Sequence, residues 1–166
     1  MILAVNAIPQ ADRLAAMTER MCIMPALHPG IIHPAVAAKM IATLDQISGG
    51  RFIYFIDTGT RASEHHAYGL HYPDTMEGRM PEMIEGLELT LKLWNTSVEH
   101  PLTFDGQFFH VKDAVCTPAP VQQPHPPVWV GEAHALTLEG YNVHTATTSA
   151  QGLQEVNVCH PDAILL

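Results

Sequence analysis

Positive charge is scarce in this sequence. Only 8 Lys and Arg stand against 17 Asp and Glu in 166 residues, a formal net charge of −9, and the basic residues form no cluster. Nucleic acids and anionic membranes are recognised through such clusters, so neither is expected as a partner. Long hydrophobic runs are missing as well. The longest apolar stretches fall far short of the roughly 20 residues that cross a bilayer. The opening MILAV is apolar but lacks a basic flank and a small-residue cleavage site, so it does not read as a signal peptide. Three cysteines, Cys22, Cys116 and Cys159, form no C-x-x-C and cannot all pair, which fits reduced thiols in a cytoplasmic protein. No G-x-S-x-G elbow, P-loop or G-x-G-x-x-G occurs, leaving hydrolase, NTPase and Rossmann readings without their motif. His65, His66 and His71 have no H-E-x-x-H or comparable carboxylate spacing beside them. They read as solvated loop histidines, and no metal is expected.

What is present alternates. ADRLAAMTER (Ala11 to Arg20) has good helix formers with Leu14, Ala15 and Met17 at helical spacing. MCIMPAL (Met21 to Leu27) is a short apolar run ended by His28, Pro29 and Gly30, which predicts a buried strand. From Pro34 a second helix is predicted, with Val36, Met40, Leu44 and Ile47 on one face and Ser48-Gly49-Gly50 as its stop. FIYFI (Phe52 to Ile56) is apolar on both faces, as strands of a covered parallel sheet are. The next helix places Met80, Met83, Ile84, Leu87, Leu91 and Trp94 on one stripe, with the methionines as core. LTFDGQFFHV predicts a tight hairpin about Asp105-Gly106. CTPAPVQQPHPP (Cys116 to Pro127) is a proline-rich connector that can be neither helix nor central strand. VWVG (Val128 to Gly131) reads as another buried strand. With 166 residues, one α/β domain of parallel strands and crossover helices, carrying a hairpin insertion, is expected.

In such architectures ligands collect at the carboxyl ends of the strands. Three ends can be read: His28, then Asp57-Thr58-Gly59, then Gly131-Glu132-Ala133-His134. Spacing alone leaves these equally open to being ordinary polar loops.

Taken together, HPAVAAKMIATLDQISGGRF, the glycine after FIDT, GRMPEMIEGLELTLKLW, FDGQFFHV and PVQQPHPPVWVGE resemble the bacterial luciferase-like flavin-dependent oxidoreductases. The resemblance runs from about residue 11 to about residue 138, and the tail 139–166 diverges. It implies a (β/α)8 TIM barrel that uses reduced FMN, or in some branches F420, with O2 to oxidise a small organic substrate. A full barrel needs about 250 residues, so the resemblance implies a single domain, 1–166, truncated to about half a barrel. It runs from the helix before barrel strand three to just past strand five.

Residue by residue, Thr58 and Gly59 match the loop beside the flavin ring, and Arg79 matches the arginine that opens the following helix. Met80 stands where several members carry a flavin-contacting tyrosine. Gly131, Glu132, Ala133 and His134 occupy the loop that offers backbone amides to the FMN phosphate, where Glu132 would repel a phosphate unless it points away. Asp57 is a further polar cofactor contact, and His28 a substrate-pocket contact. No general base is assigned, since the flavin performs the redox chemistry. Two readings follow. One is a flavin-dependent monooxygenase acting on a small organic molecule. The other is a non-catalytic remnant serving as a flavin-binding or interaction module. A half-barrel leaves sheet edges open, so homo-oligomerisation is expected under either.

Overall fold

The computed structural model describes residues 7–59, 61–131 and 163–165. Its elements are α1 (Ala7–Met17), β1 (Ala26–Leu27), α2 (Pro34–Ser48), β2 (Tyr54–Ile56), α3 (Ala62–Ala67), α4 (Met76–Trp94), β3 (Leu102–Asp105), β4 (His110–Ala114), β5 (Val128–Val130) and β6 (Ala163–Leu165). The main sheet has the order β1-β2-β5-β6 and all three pairings are parallel. As expected, MCIMPAL, FIYFI and VWVG contribute neighbouring strands, although MCIMPAL supplies only Ala26–Leu27 and an isolated bridge from Ile23 to Phe52. The architecture is the α/β arrangement of parallel strands and helices that belongs to part of a (β/α)8 barrel.

Local signals account for the helices. Pro34 sits in the first turn of α2, the His33 side chain accepts from the Ala35 amide at 3.2 Å, and Gly49 ends the helix in the left-handed conformation. Thr75 caps α4 by accepting from the Gly78 amide at 3.2 Å. The face of α2 differs from the expectation. Val36, Met40 and Ile47 are exposed, while Ala37, Ala38, Ile41, Ala42 and Leu44 are buried. Small residues win because they let α4 come close: the Trp94 indole donates to the Ala38 carbonyl at 3.0 Å and meets Tyr54 edge-on at 6.0 Å. In α1 likewise, Ala11 and Ala15 face inward and Leu14 and Met17 outward, and the helix ends at Met17 rather than Arg20. On α4 the inner stripe is wider than predicted. Leu89 and Leu93 join Met80, Met83, Leu87 and Trp94 in the core, while Ile84 and Leu91 are only partly buried.

The hairpin expected about Asp105-Gly106 forms, with residues 106–109 between the strands and the Gly106 amide donating to the Phe109 carbonyl at 3.0 Å, so that its tip lies at Gln107-Phe108. Tertiary contact decides this. The Glu85 carboxylate of α4 accepts from the amides of Gln107 (2.7 Å), Phe108 (2.8 Å) and Phe109 (2.7 Å), gathering the loop around itself. Burial pushes the Glu85 carboxyl up, and the three amides more than reverse this, holding it below its ordinary value.

The two faces of the sheet are not alike. Leu27, Tyr54, Ile56, Val128 and Val130 are buried in the core with α2 and α4. The register row Ala26, Phe55 and Trp129 points the other way, with Ala26 exposed and the two aromatic residues half-buried. FIYFI is therefore apolar on both sides, but one side is only partly covered.

Candidate functional site

Because the strands are parallel, their carboxyl ends share one edge, and the predicted polar residues meet there. His28, Asp57, Thr58 and Arg79 line one cleft together with Gly30, His65, Tyr72 and Glu82. Gly131 follows β5 on the same edge. Its amide donates to the Ile56 carbonyl at 3.0 Å and so continues the ladder. Glu132, Ala133 and His134 lie outside the described residues.

The strand-end loop is held in place from several sides. The Asp57 carboxylate accepts from the Gly59 amide at 2.8 Å, and the Tyr72 hydroxyl donates to the Gly59 carbonyl at 3.0 Å. Gly59 has φ +77°, and a methyl group there would lie 3.0 Å from His28 Nε2 and 3.2 Å from His65 Cε1. Both conformation and space therefore require glycine. Thr58 is 5% exposed. The Arg79 guanidinium lies 4.6 Å over the Tyr72 ring and donates from Nη1 to the Pro73 carbonyl at 2.8 Å. Its Nε is buried without a hydrogen-bond partner among the described residues.

His65 is the main correction. It was expected in a solvated loop, but it is 2% exposed on α3, with Nδ1 2.8 Å from the Arg61 carbonyl and Nε2 2.9 Å from His28 Nε2. Its exposed neighbours His66 and His71 fit the expectation better. Burial, aided by repulsion from His65, lowers the His28 pKa against the opposing pull of Asp57 and Glu64. Burial raises the Glu82 carboxyl, with His71 and His65 opposing. The sequence pattern did not mark His65, Tyr72 or Glu82 as part of a site. The one signal for His65 was its i+4 spacing from Arg61, visible only once ASEHHA is recognised as a helical turn. No group of three or more potential metal ligands occurs among the described residues. None of the helices among the described residues is long and apolar enough to cross a membrane.

The arrangement offers a donor, the Arg79 guanidinium, and acceptors, Asp57 and His28. Its enclosed volume is only about 10 Å³, room for roughly one water molecule. A planar ring would therefore contact the open side of the cleft, and the described residues fit one edge of a cofactor rather than its whole surround.

Known structures share this frame. Monooxygenase RslO1 from Streptomyces bottropensis superposes with TM-score 0.69 at 25% identity, covering 83% of this chain and 42% of that one. A riboflavin lyase, RcaE, solved with modified FMN and riboflavin, gives TM-score 0.75 at 17% identity, covering 97% and 41%. The coenzyme F420-dependent tetrahydromethanopterin reductase of Methanopyrus kandleri gives 0.68 at 23% identity, covering 81% and 41%. The chain thus spans about two fifths of the length of these structures. The family model described as luciferase-like monooxygenase matches residues 6–143. On that match, and on the fold and strand-end geometry that accompany it, the chain belongs to the luciferase-like monooxygenase family.

Proposed function

We propose that this chain is an oxidoreductase module in which His28, Asp57, Thr58, Gly59 and Arg79 form one wall of a site for FMN or F420 and a small organic substrate. The observation that carries the reading is the meeting of these residues at the carboxyl edge of a parallel sheet, where α/β folds bind ligands. When bound, the flavin or deazaflavin supplies the redox chemistry. The chain's residues supply orientation. Gly59 leaves room for the His28 and His65 rings, the Arg79 guanidinium brings a positive donor to the cleft, and Tyr72 and Asp57 hold the Gly59 peptide rigid from both ends. Among the described residues the wall is incomplete, so binding by this chain alone is expected to be weak. Titrating FMN and F420 into the purified chain, followed by fluorescence, should give saturable binding that Arg79→Ala weakens about tenfold, the effect of losing one hydrogen bond. Flat titrations of the unaltered protein with both cofactors would sink the reading.

A second reading, an interaction module, is favoured by the partly covered row Ala26, Phe55 and Trp129 and by the exposed apolar side chains Leu14, Met17, Val36, Met40 and Ile47 on α1 and α2. Exposed apolar side chains of this size favour association. Self-association is expected in sedimentation experiments at micromolar concentrations, reduced by the double change Val36→Glu, Met40→Glu. A monomer throughout that range would remove the support for this reading.

A further inference from the structure

The two histidines at the strand ends determine one another's proton positions. The Arg61 carbonyl lies 2.8 Å from His65 Nδ1. A carbonyl can only accept, so His65 Nδ1 carries a hydrogen. Neutral His65 then has its lone pair at Nε2. That nitrogen is 2.9 Å from His28 Nε2, so His28 must donate there, and neutral His28 is left with its lone pair at Nδ1. A third proton added to the pair also ends on His28 Nδ1, whichever ring is counted as the cation. Among the described residues His28 Nδ1 has no hydrogen-bond partner. It faces the cleft beside Gly30: a methyl group on Gly30 would lie 3.3 Å from Nδ1, 3.2 Å from Cε1 and 3.9 Å from Glu82 Oε2.

We propose that His65 is a positioning residue which fixes His28 in the Nε2-protonated tautomer, so that His28 Nδ1 is the cleft's acceptor for an uncharged substrate presenting an O–H or N–H group. The inference rests on reading this cleft as a ligand site, and it specifies what the substrate must offer there. Ligands with only acceptors are disfavoured, because a lone pair meeting Nδ1 leaves both groups without a hydrogen. Burial and His65 oppose the third proton while Asp57 and Glu64 favour it, and the balance keeps His28 below its ordinary value. Glu82, His71 and Arg79 complete the charged groups around the cleft. The acceptor form is therefore the one present at neutral pH and above.

Histidine tautomers are read directly from long-range proton–nitrogen correlation spectra of the full chain labelled with nitrogen-15 histidine. Above the imidazole titration range, His65 should show protonated Nδ1 and His28 protonated Nε2. His65→Phe should release His28 into a tautomer mixture, and His65→Gln, whose side-chain carbonyl can accept from His28 Nε2, should restore it. A purely packing role for His65 would not be rescued in this way. Gly30→Ala should preserve both tautomers but cover Nδ1, and it keeps the test intact should the His65 variants fail to fold. The probes are methanol, which donates, and acetonitrile, which only accepts. Methanol should shift His28 Nδ1 saturably, and Gly30→Ala should weaken that response about tenfold; acetonitrile should leave the resonance in place. A His28 protonated at Nδ1 in the unaltered protein, an equal response to both probes, or no response to methanol would overturn the proposal. None of these readouts involves a flavin, so a flat flavin titration beside the expected tautomers and methanol response would fail the oxidoreductase reading alone.

Discussion

Replacing Asp45 with alanine is expected to lower stability by about 2–4 kcal/mol, the cost of leaving buried donors without their acceptor. Asp45 is 0% exposed near the end of α2. Its Oδ2 accepts from the backbone amides of Val121 (2.8 Å) and Gln122 (3.0 Å), and its Oδ1 accepts from the Gln122 side-chain amide (2.6 Å). That same amide donates to the Phe52 carbonyl at 2.8 Å. One carboxylate thus ties the proline-rich connector to α2 and to the start of the FIYFI segment. The connector has no helix or strand partners of its own for these amides, so removing the acceptor leaves them unpaired at a part-buried site. Asp45→Asn keeps one carbonyl oxygen but points an amide at donors, and it should cost about half as much. For a chain of this size the alanine variant should lose roughly 5–15 °C in Tm. Thermal and urea unfolding measure both variants. A loss below about 0.5 kcal/mol, the range of ordinary surface changes, would mean that the connector is held by other contacts.

The second large effect is expected at Arg51. Its guanidinium donates to the carbonyls of Ser48 (2.6 Å), Met21 (2.7 Å) and Ala15 (2.9 Å) and to the Thr18 hydroxyl (3.1 Å). These acceptors belong to the last turns of α1 and α2 and to the segment leading into β1. Positive charge at two helix C-termini adds to the hydrogen bonds. Arg51→Ala should destabilise by about 2–3 kcal/mol, a figure reduced from the sum of the bonds because several of these carbonyls regain water. Arg51→Lys should recover less than half, since one ammonium group cannot meet three carbonyls that a planar fork reaches together. Hydrogen exchange should show the loss concentrated in α1, which packs against α2 and is tied to Arg51 through the Ala15 carbonyl. Uniform loss across all helices would show that Arg51 acts on the core instead.

The strand-end site was partly readable. Asp57, Thr58 and Gly59 follow an apolar run, and in a parallel sheet that position is the carboxyl edge, so a shared edge for His28 and Asp57 was legible in the pattern, which left open whether they line a cleft or form ordinary loops. Arg79 came only through the family resemblance, because nothing in its local sequence connects it with residues twenty positions earlier. Tyr72 and Glu82 carried no signal, and His65 carried one only after its helix was known. Each reaches the cleft from α3, from the segment after it, or from α4, and which side of a short helix faces a strand end is set by packing.

Local chemistry was enough for the alternation of helix and strand, the caps of α2, the connector that cannot be regular structure and the parallel class of the sheet. These depend on period, on proline and glycine chemistry and on apolar strands, all of which act over a few residues. Packing across the whole chain was needed to choose which stripe of α2 turns inward, where the tip of the hairpin falls and which histidines pair. Val36, Met40 and Ile47 are as helical in spacing as Ala37, Ile41 and Leu44. The alanines are chosen because close approach of α4 buries more surface than larger side chains would allow. Glu85 reshapes the hairpin loop, and His65 meets His28 across 37 positions of chain. A buried polar atom takes the partner that the fold brings within reach, and sequence distance does not enter that choice.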